Sequence, residues 1–115
     1  PLPRHTGDVE WYVGYGRDHA ADGTEGRLVS MHTFSESWDT WEMHPNGSEL
    51  VLCVAGAVAL TQEAPDGTTS TVTISAGQAV VNDPGVWHTA DLVDGQSDPT
   101  VVFVTAGVGT EMRDR

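Results

Sequence analysis

Four side chains in this sequence have the types and spacing to do chemistry together. In Trp41-Glu42-Met43-His44, residues 42 and 44 are two apart, and on a strand that spacing points both side chains to one face. Glu49 follows the Pro45–Ser48 turn and opens an otherwise apolar run, Leu50-Val51-Leu52-Cys53-Val54. At a strand start such a Glu looks inward or sits on the rim. His88 follows Pro84-Gly85-Val86-Trp87, a turn that starts a fresh strand. Two imidazoles and two carboxylates from three strands form a donor set for a divalent transition metal such as Fe²⁺, Mn²⁺, Zn²⁺ or Ni²⁺, with positions left for water or substrate. A cation would also relieve repulsion between Glu42 and Glu49. The competing reading is a hydrogen-bonded polar cluster that holds no metal.

These residues need short strands to bring them together, and the rest of the chain supplies them. Runs of β-forming residues cover 27–34, 37–44, 49–54, 57–64, 69–75, 79–83, 86–92 and 99–107. The breaks carry turn chemistry: Pro45-Asn46-Gly47, Gly56, Pro65-Asp66-Gly67, Ala76-Gly77 and Pro84-Gly85. An all-β, closed double sheet is expected. Residues 1–26 read as a lead-in strand around Val9–Tyr15 and a long loop, with Gly14-Tyr15-Gly16 part of that irregular stretch. The tail from Gly107 to Arg115 reads as a polar surface extension.

The spacing Glu42-x-His44-x4-Glu49-x6-Gly56 resembles the first motif of the cupin family, with Glu42 at the place of that motif's first His. Gly77-x6-Pro84-Gly85-x2-His88 resembles the second motif, with the proline and glycine now adjacent and Leu92 where the motif ends in Asn. The resemblance is to a small single-domain cupin of the RmlC-like jelly-roll superfamily. It implies a double-stranded β-helix, a jelly-roll barrel, over residues 1–115 with its core at about 27–107. By the same resemblance the metal ligands fall on His44, Glu49 and His88, with Glu42 as fourth ligand or general base. Paired subunits are also expected from it.

Composition narrows the partners. The chain has 115 residues, enough for one domain, with 17 acidic residues against five Arg and no Lys, a formal charge of −12. Nucleic acid and anionic membrane surfaces are excluded as partners by repulsion, and Schiff-base chemistry is excluded by the missing Lys. Cys53 is the one cysteine, so no internal disulfide forms; it shares parity with Glu49 and reads as a small core residue. No basic-then-apolar segment opens the chain and no apolar run approaches the roughly 20 residues that span a bilayer, so a cytoplasmic location is expected. Asn46-Gly47-Ser48 is read as a tight turn rather than a glycosylation site.

Around the site, Trp38 is expected at the mouth of the barrel. By strand parity Trp41 and Trp87 point away from the ligands beside them, and are expected to pack between sheets or in a homodimer interface. His32, on an early strand, is a candidate acid or base on the cavity wall. His5 and His19 read as surface histidines. The function expected is a metal-dependent enzyme on a small organic molecule, by dioxygenation, isomerisation or lyase chemistry. The alternatives are a non-catalytic small-ligand-binding module and a metal-independent isomerase or epimerase.

Overall fold

Alternating inward and outward residues on short strands, cut by the turns above, leave each strand with one apolar face to bury. The chain meets that need with two packed antiparallel sheets. The structure, a computed structural model, describes residues 4–115. Among the described residues nine strands form: β1 Leu28–Thr33, β2 Thr40–Met43, β3 Glu49–Ala55, β4 Ala57–Glu63, β5 Thr69–Ser75, β6 Ala79–Asn82, β7 Trp87–Leu92, β8 Thr100–Thr105 and β9 Glu111–Asp114. Their orders are β1-β8-β3-β6 in one sheet and β5-β4-β7-β2-β9 in the other. Non-sequential neighbours in both sheets make this a jelly roll, as the strand pattern predicts.

Register decides where polar residues sit. In the five-stranded sheet Gln62 pairs with His88, and His88 with Glu42. In the four-stranded sheet Glu49 pairs with Asn82, and Thr105 stands next to Glu49 through its hydroxyl. One polar row therefore faces another at one end of the sandwich. Further along the same inner faces the residues turn apolar: Val51, Cys53, Val58, Leu60, Ile74, Ala90, Val101 and Phe103 form the core. Cys53 is fully buried there and unpaired, as parity predicts.

Two segments differ from expectation. Val9–Asp18 is α-helix α1, not a strand and loop, and a 3-10 segment broken at Gly23 follows over Ala20–Glu25. Gly14-Tyr15-Gly16 lies inside this helix. The helix carries two glycines and several β-formers, so propensity argues against it. What holds it is the Asp8 side chain, which accepts from the Trp11 N–H at 2.8 Å, and the burial of Tyr12 and Tyr15 in a cluster with Leu28. The expected lead-in at residues 1–3 lies outside the described residues. The C-terminal tail is no loose extension: β9 pairs with β2 from Thr40↔Asp114 to Met43↔Glu111. Arg113 on β9 pairs with Glu63 and covers the rings of Trp41 and Trp87, at 5.2 and 4.5 Å from their centroids. These tryptophans do point away from Glu42 and His88, and this chain's own arginine packs over them.

Apolar surface lies exposed on the outside of the four-stranded sheet. There Val29, Val104, Leu50 and Val81 align across all four strands, and Met31, Val102, Leu52 and Ala79 form the next row. Val29 and Met31 are each 64% exposed and Val81 53%.

Gly56 turns β3 into β4 with φ +72°, and a Cβ there would meet the backbone oxygens of Ser97 and Asp98 at 2.7 and 2.9 Å. We expect Gly56→Ala to cost about 2–4 kcal/mol in denaturant unfolding, since strain and backbone collision add. A change under about 0.5 kcal/mol would mean the turn relaxes freely.

Candidate metal centre

Glu42, His44, Glu49 and His88 come together at the polar end of the sandwich, all buried. Glu42, His44 and His88 each offer one ligand atom within 4.8 Å of the others. Glu49 lies between the imidazoles: its Oε2 is 3.1 Å from His44 Nε2 and its Oε1 3.2 Å from His88 Nε2. Glu42 Oε2 is 3.9 Å from His44 Nε2.

Hydrogen bonds around the four fix how they present themselves. Thr110 Oγ1 donates to the Gly107 carbonyl at 2.8 Å, so at 2.8 Å from His44 Nδ1 it accepts the ring N–H. The Val86 carbonyl, 3.1 Å from His88 Nδ1, can only accept, which places that ring's proton on Nδ1 as well. In their neutral form both rings turn a bare Nε2 toward the cluster, and protonated they present an N–H⁺ to Glu49 instead. The contacts to Glu49 lack hydrogen-bond alignment, and both Nε2 atoms are buried without a hydrogen-bond partner. Two orphaned lone pairs aimed at two carboxylates fit a divalent cation. Glu49 in turn accepts from Asn82 Nδ2 at 3.1 Å and Thr105 Oγ1 at 2.6 Å, and Gln62 Nε2 anchors Asn82 Oδ1 at 2.7 Å.

Burial and charge split the two carboxylates. Burial, reinforced by the neighbouring charge of Glu49 and only partly offset by His88, pushes Glu42 up to about 8. Burial also works to raise Glu49, but its contacts with His44 and His88 outweigh it and hold that carboxyl well below the usual range. For His88 burial works downward, and Glu49 overrides it, so the ring's pKa lies above its ordinary value.

Above the cluster opens a cavity of about 380 Å³, with Glu42 and Glu49 on its floor. Trp38 lines it, as expected, and with Phe34 and Phe103 forms an aromatic wall at centroid spacings of 6.2 and 5.9 Å. His32 is on the wall but outside the metal cluster, and its Nε2 is 2.5 Å from His5 Nδ1. His5 is thus no surface residue: the segment before α1 lays it over the cavity, against Trp11 and Tyr12. His19 lies at the end of α1, stacked on Tyr15 and 3.2 Å from Asp22. Thr105, Thr110, Asn82 and Gln62 were not identifiable as supports from sequence, because ordinary strand and turn residues acquire that role only through register.

The metal-free protein has a definite pH behaviour. A carboxyl whose folded pKa lies above its unfolded value binds its proton more tightly when folded, so Glu42 lowers stability as pH rises from about 4.5 toward 8. A cation must displace that proton and any on His88. We expect apparent metal affinity to rise with pH up to about 8, with proton release near neutrality that Glu42→Gln diminishes. Calorimetry in buffers of different ionisation enthalpy measures the release; none in the wild-type protein would contradict these assignments.

No family model and no curated protein matches the chain. Solved structures do. An oxalate decarboxylase from Lactobacillus farciminis, in a formate complex, superposes with TM-score 0.57 at 15% identity, over 69% of this chain and 23% of its own. A Bacillus subtilis oxalate decarboxylase described for its Mn(II) centres gives 0.59 at 15% identity, over 76% and 23%. Peruvianin-I, a cysteine peptidase from Thevetia peruviana latex, gives 0.55 at 18% identity, over 76% and 53%. The chain thus spans under a quarter of the decarboxylase chains and about half of the third. With two antiparallel sheets ordered as a jelly roll and these structural neighbours, the chain has the cupin fold.

Proposed function

We propose that this cupin binds a divalent transition metal through His44, His88, Glu49 and Glu42 and is an enzyme acting on a small organic molecule in the cavity above. The observation that carries the reading is the pair of buried Nε2 atoms left without hydrogen-bond partners beside two carboxylates. A donor set of two imidazoles and two carboxylates suits Mn²⁺ or Fe²⁺, with Zn²⁺ or Ni²⁺ as alternatives. The Mn(II) centres of the Bacillus subtilis neighbour support that choice.

A bound cation would polarise a carbonyl, enolate or O₂ oxygen, which suits lyase, isomerase or dioxygenase chemistry. The chain's own groups do the rest. Glu49, braced by Asn82 and Thr105, keeps its charge and position. Glu42 opens onto the cavity, and a carboxylate beside a cation can exchange between ligand and base, so it is the group to take or return a proton at the substrate. The aromatic wall excludes water and seats an apolar part of the substrate. His32, half-buried on the same wall, is a second proton carrier.

Untagged protein purified without chelators is expected to hold close to one metal per chain by elemental mass spectrometry, lost in His44→Ala and His88→Ala. Thr110→Val, which frees the His44 ring, is expected to weaken metal binding by about 10–100-fold. Wild-type protein that stays empty after reconstitution would overturn the reading in favour of the polar cluster.

The reading includes a homodimer, located on the uncharged outer face of the four-stranded sheet. That face exposes Val29, Met31, Leu50 and Val81, and a stable dimer across it would bury about 1,200 Å² or more in total. No residue of its two rows is charged, so two copies of a −12 chain meet there without opposing carboxylates. Sedimentation velocity is expected to show a dimer that Met31→Lys or Val81→Lys dissociates and Val72→Lys, on the other sheet, does not. A wild-type monomer at micromolar concentration would refute it. No described helix is long and apolar enough to cross a membrane; a cytoplasmic location stays part of the proposal.

A further inference from the structure

The cavity over the proposed metal site has an unusual charge balance. Four carboxylates line it, Glu42 and Glu49 on the floor and Glu36 and Asp39 at the rim, and no arginine does. With no Lys in the chain, any cationic side chain there must be one of five arginines. Arg17 pairs with Asp18, Arg113 with Glu63 and Arg115 with Asp91, while Arg27 donates to the carbonyls of Thr24 and Gly26. Arg4 lies in the neighbouring groove, behind the imidazole wall.

The imidazoles do not make up the deficit. His5 and His32 face each other at hydrogen-bond distance, which leaves at most a shared proton between them. Burial and His32 pull His5 down to about 4, and burial and Arg4 lower His32, so both are neutral at neutral pH. A dication held by Glu42 and Glu49 would be cancelled by its own ligands. Glu36 and Asp39 then leave the pocket negative toward anything entering it. The remaining surface is flat and aromatic, from Phe34, Trp38 and Phe103, in a volume at the small end of ligand pockets.

Building on the metal reading above, we propose that the cavity takes an uncharged or cationic small molecule with a flat apolar body, and that Glu36 and Asp39 exclude dicarboxylates such as oxalate. These two rim residues are exposed and carry the selectivity by field rather than by contact. The substrate class therefore differs from that named for the oxalate decarboxylases whose fold this chain shares.

The test is calorimetric titration of Mn(II)-loaded protein with probes of one shape and different charge: benzylamine, benzamide, benzoate and terephthalate. Benzylamine and benzamide should bind at least about tenfold more tightly than benzoate, with terephthalate weakest. In the Glu36→Gln/Asp39→Asn variant, which is surface-exposed and leaves the ligands untouched, the gap should shrink several-fold. Benzoate or terephthalate binding as tightly as benzamide, an unchanged gap in the variant, or no binding by any probe would each overturn the proposal. The same series on metal-free protein separates it from the metal reading. A chain that takes up no Mn(II) but still ranks the probes by charge loses the metal centre and keeps the selectivity, and a loaded chain with the opposite ranking does the reverse.

Discussion

A carboxylate sealed inside a small β-sandwich is the constraint on which the rest of this structure depends. Glu49 is 2% exposed and ionised, and an ion in that position is costly unless several partners meet it. They come from four other strands or loops: Asn82 from β6, Thr105 from β8, His88 from β7 and His44 from the end of β2. Each of those strands must keep its register, because a slip of one residue would turn the partner to the opposite face. The site and the fold are thus specified together, with Gln62, Thr110 and the Val86 carbonyl locking the partners in turn.

Protonation gives the two carboxylates different roles. Glu49 is held as an anion by its contacts, while Glu42, also buried, meets the like charge of Glu49 that His88 only partly offsets and retains its proton to about 8. In the metal-free protein the surroundings of the two carboxyl groups push their pKa values apart. The split follows from which one the imidazoles clasp.

Much of this was legible in the sequence, because barrel ligands recur at the two-residue and turn-limited spacings that strands impose. Glu42, His44, Glu49 and His88 were readable from such spacing, and Gly56 and Pro84-Gly85 marked the turns between them. Other features were not. Helix α1 has two glycines and an aromatic-rich stretch that reads as strand, and the Asp8 cap with the docking of Tyr12 and Tyr15 against Leu28 makes it helical. Strand β9 is four residues, three of them charged, whose place is set by pairing with β2, a long-range event without a local signal. His5 looked isolated because its partner, His32, is distant in sequence and near only once the chain crosses the barrel mouth.

X-ray absorption at the metal edge of the reconstituted protein tests the central claim most directly. The account predicts a first shell of nitrogen and oxygen only, with the outer-shell scattering of two imidazoles, and no such signal from His88→Ala, which holds no metal. A shell with no imidazole scattering, or one unchanged by that substitution, would place the metal elsewhere and leave Glu42, His44, Glu49 and His88 a buried hydrogen-bonding cluster.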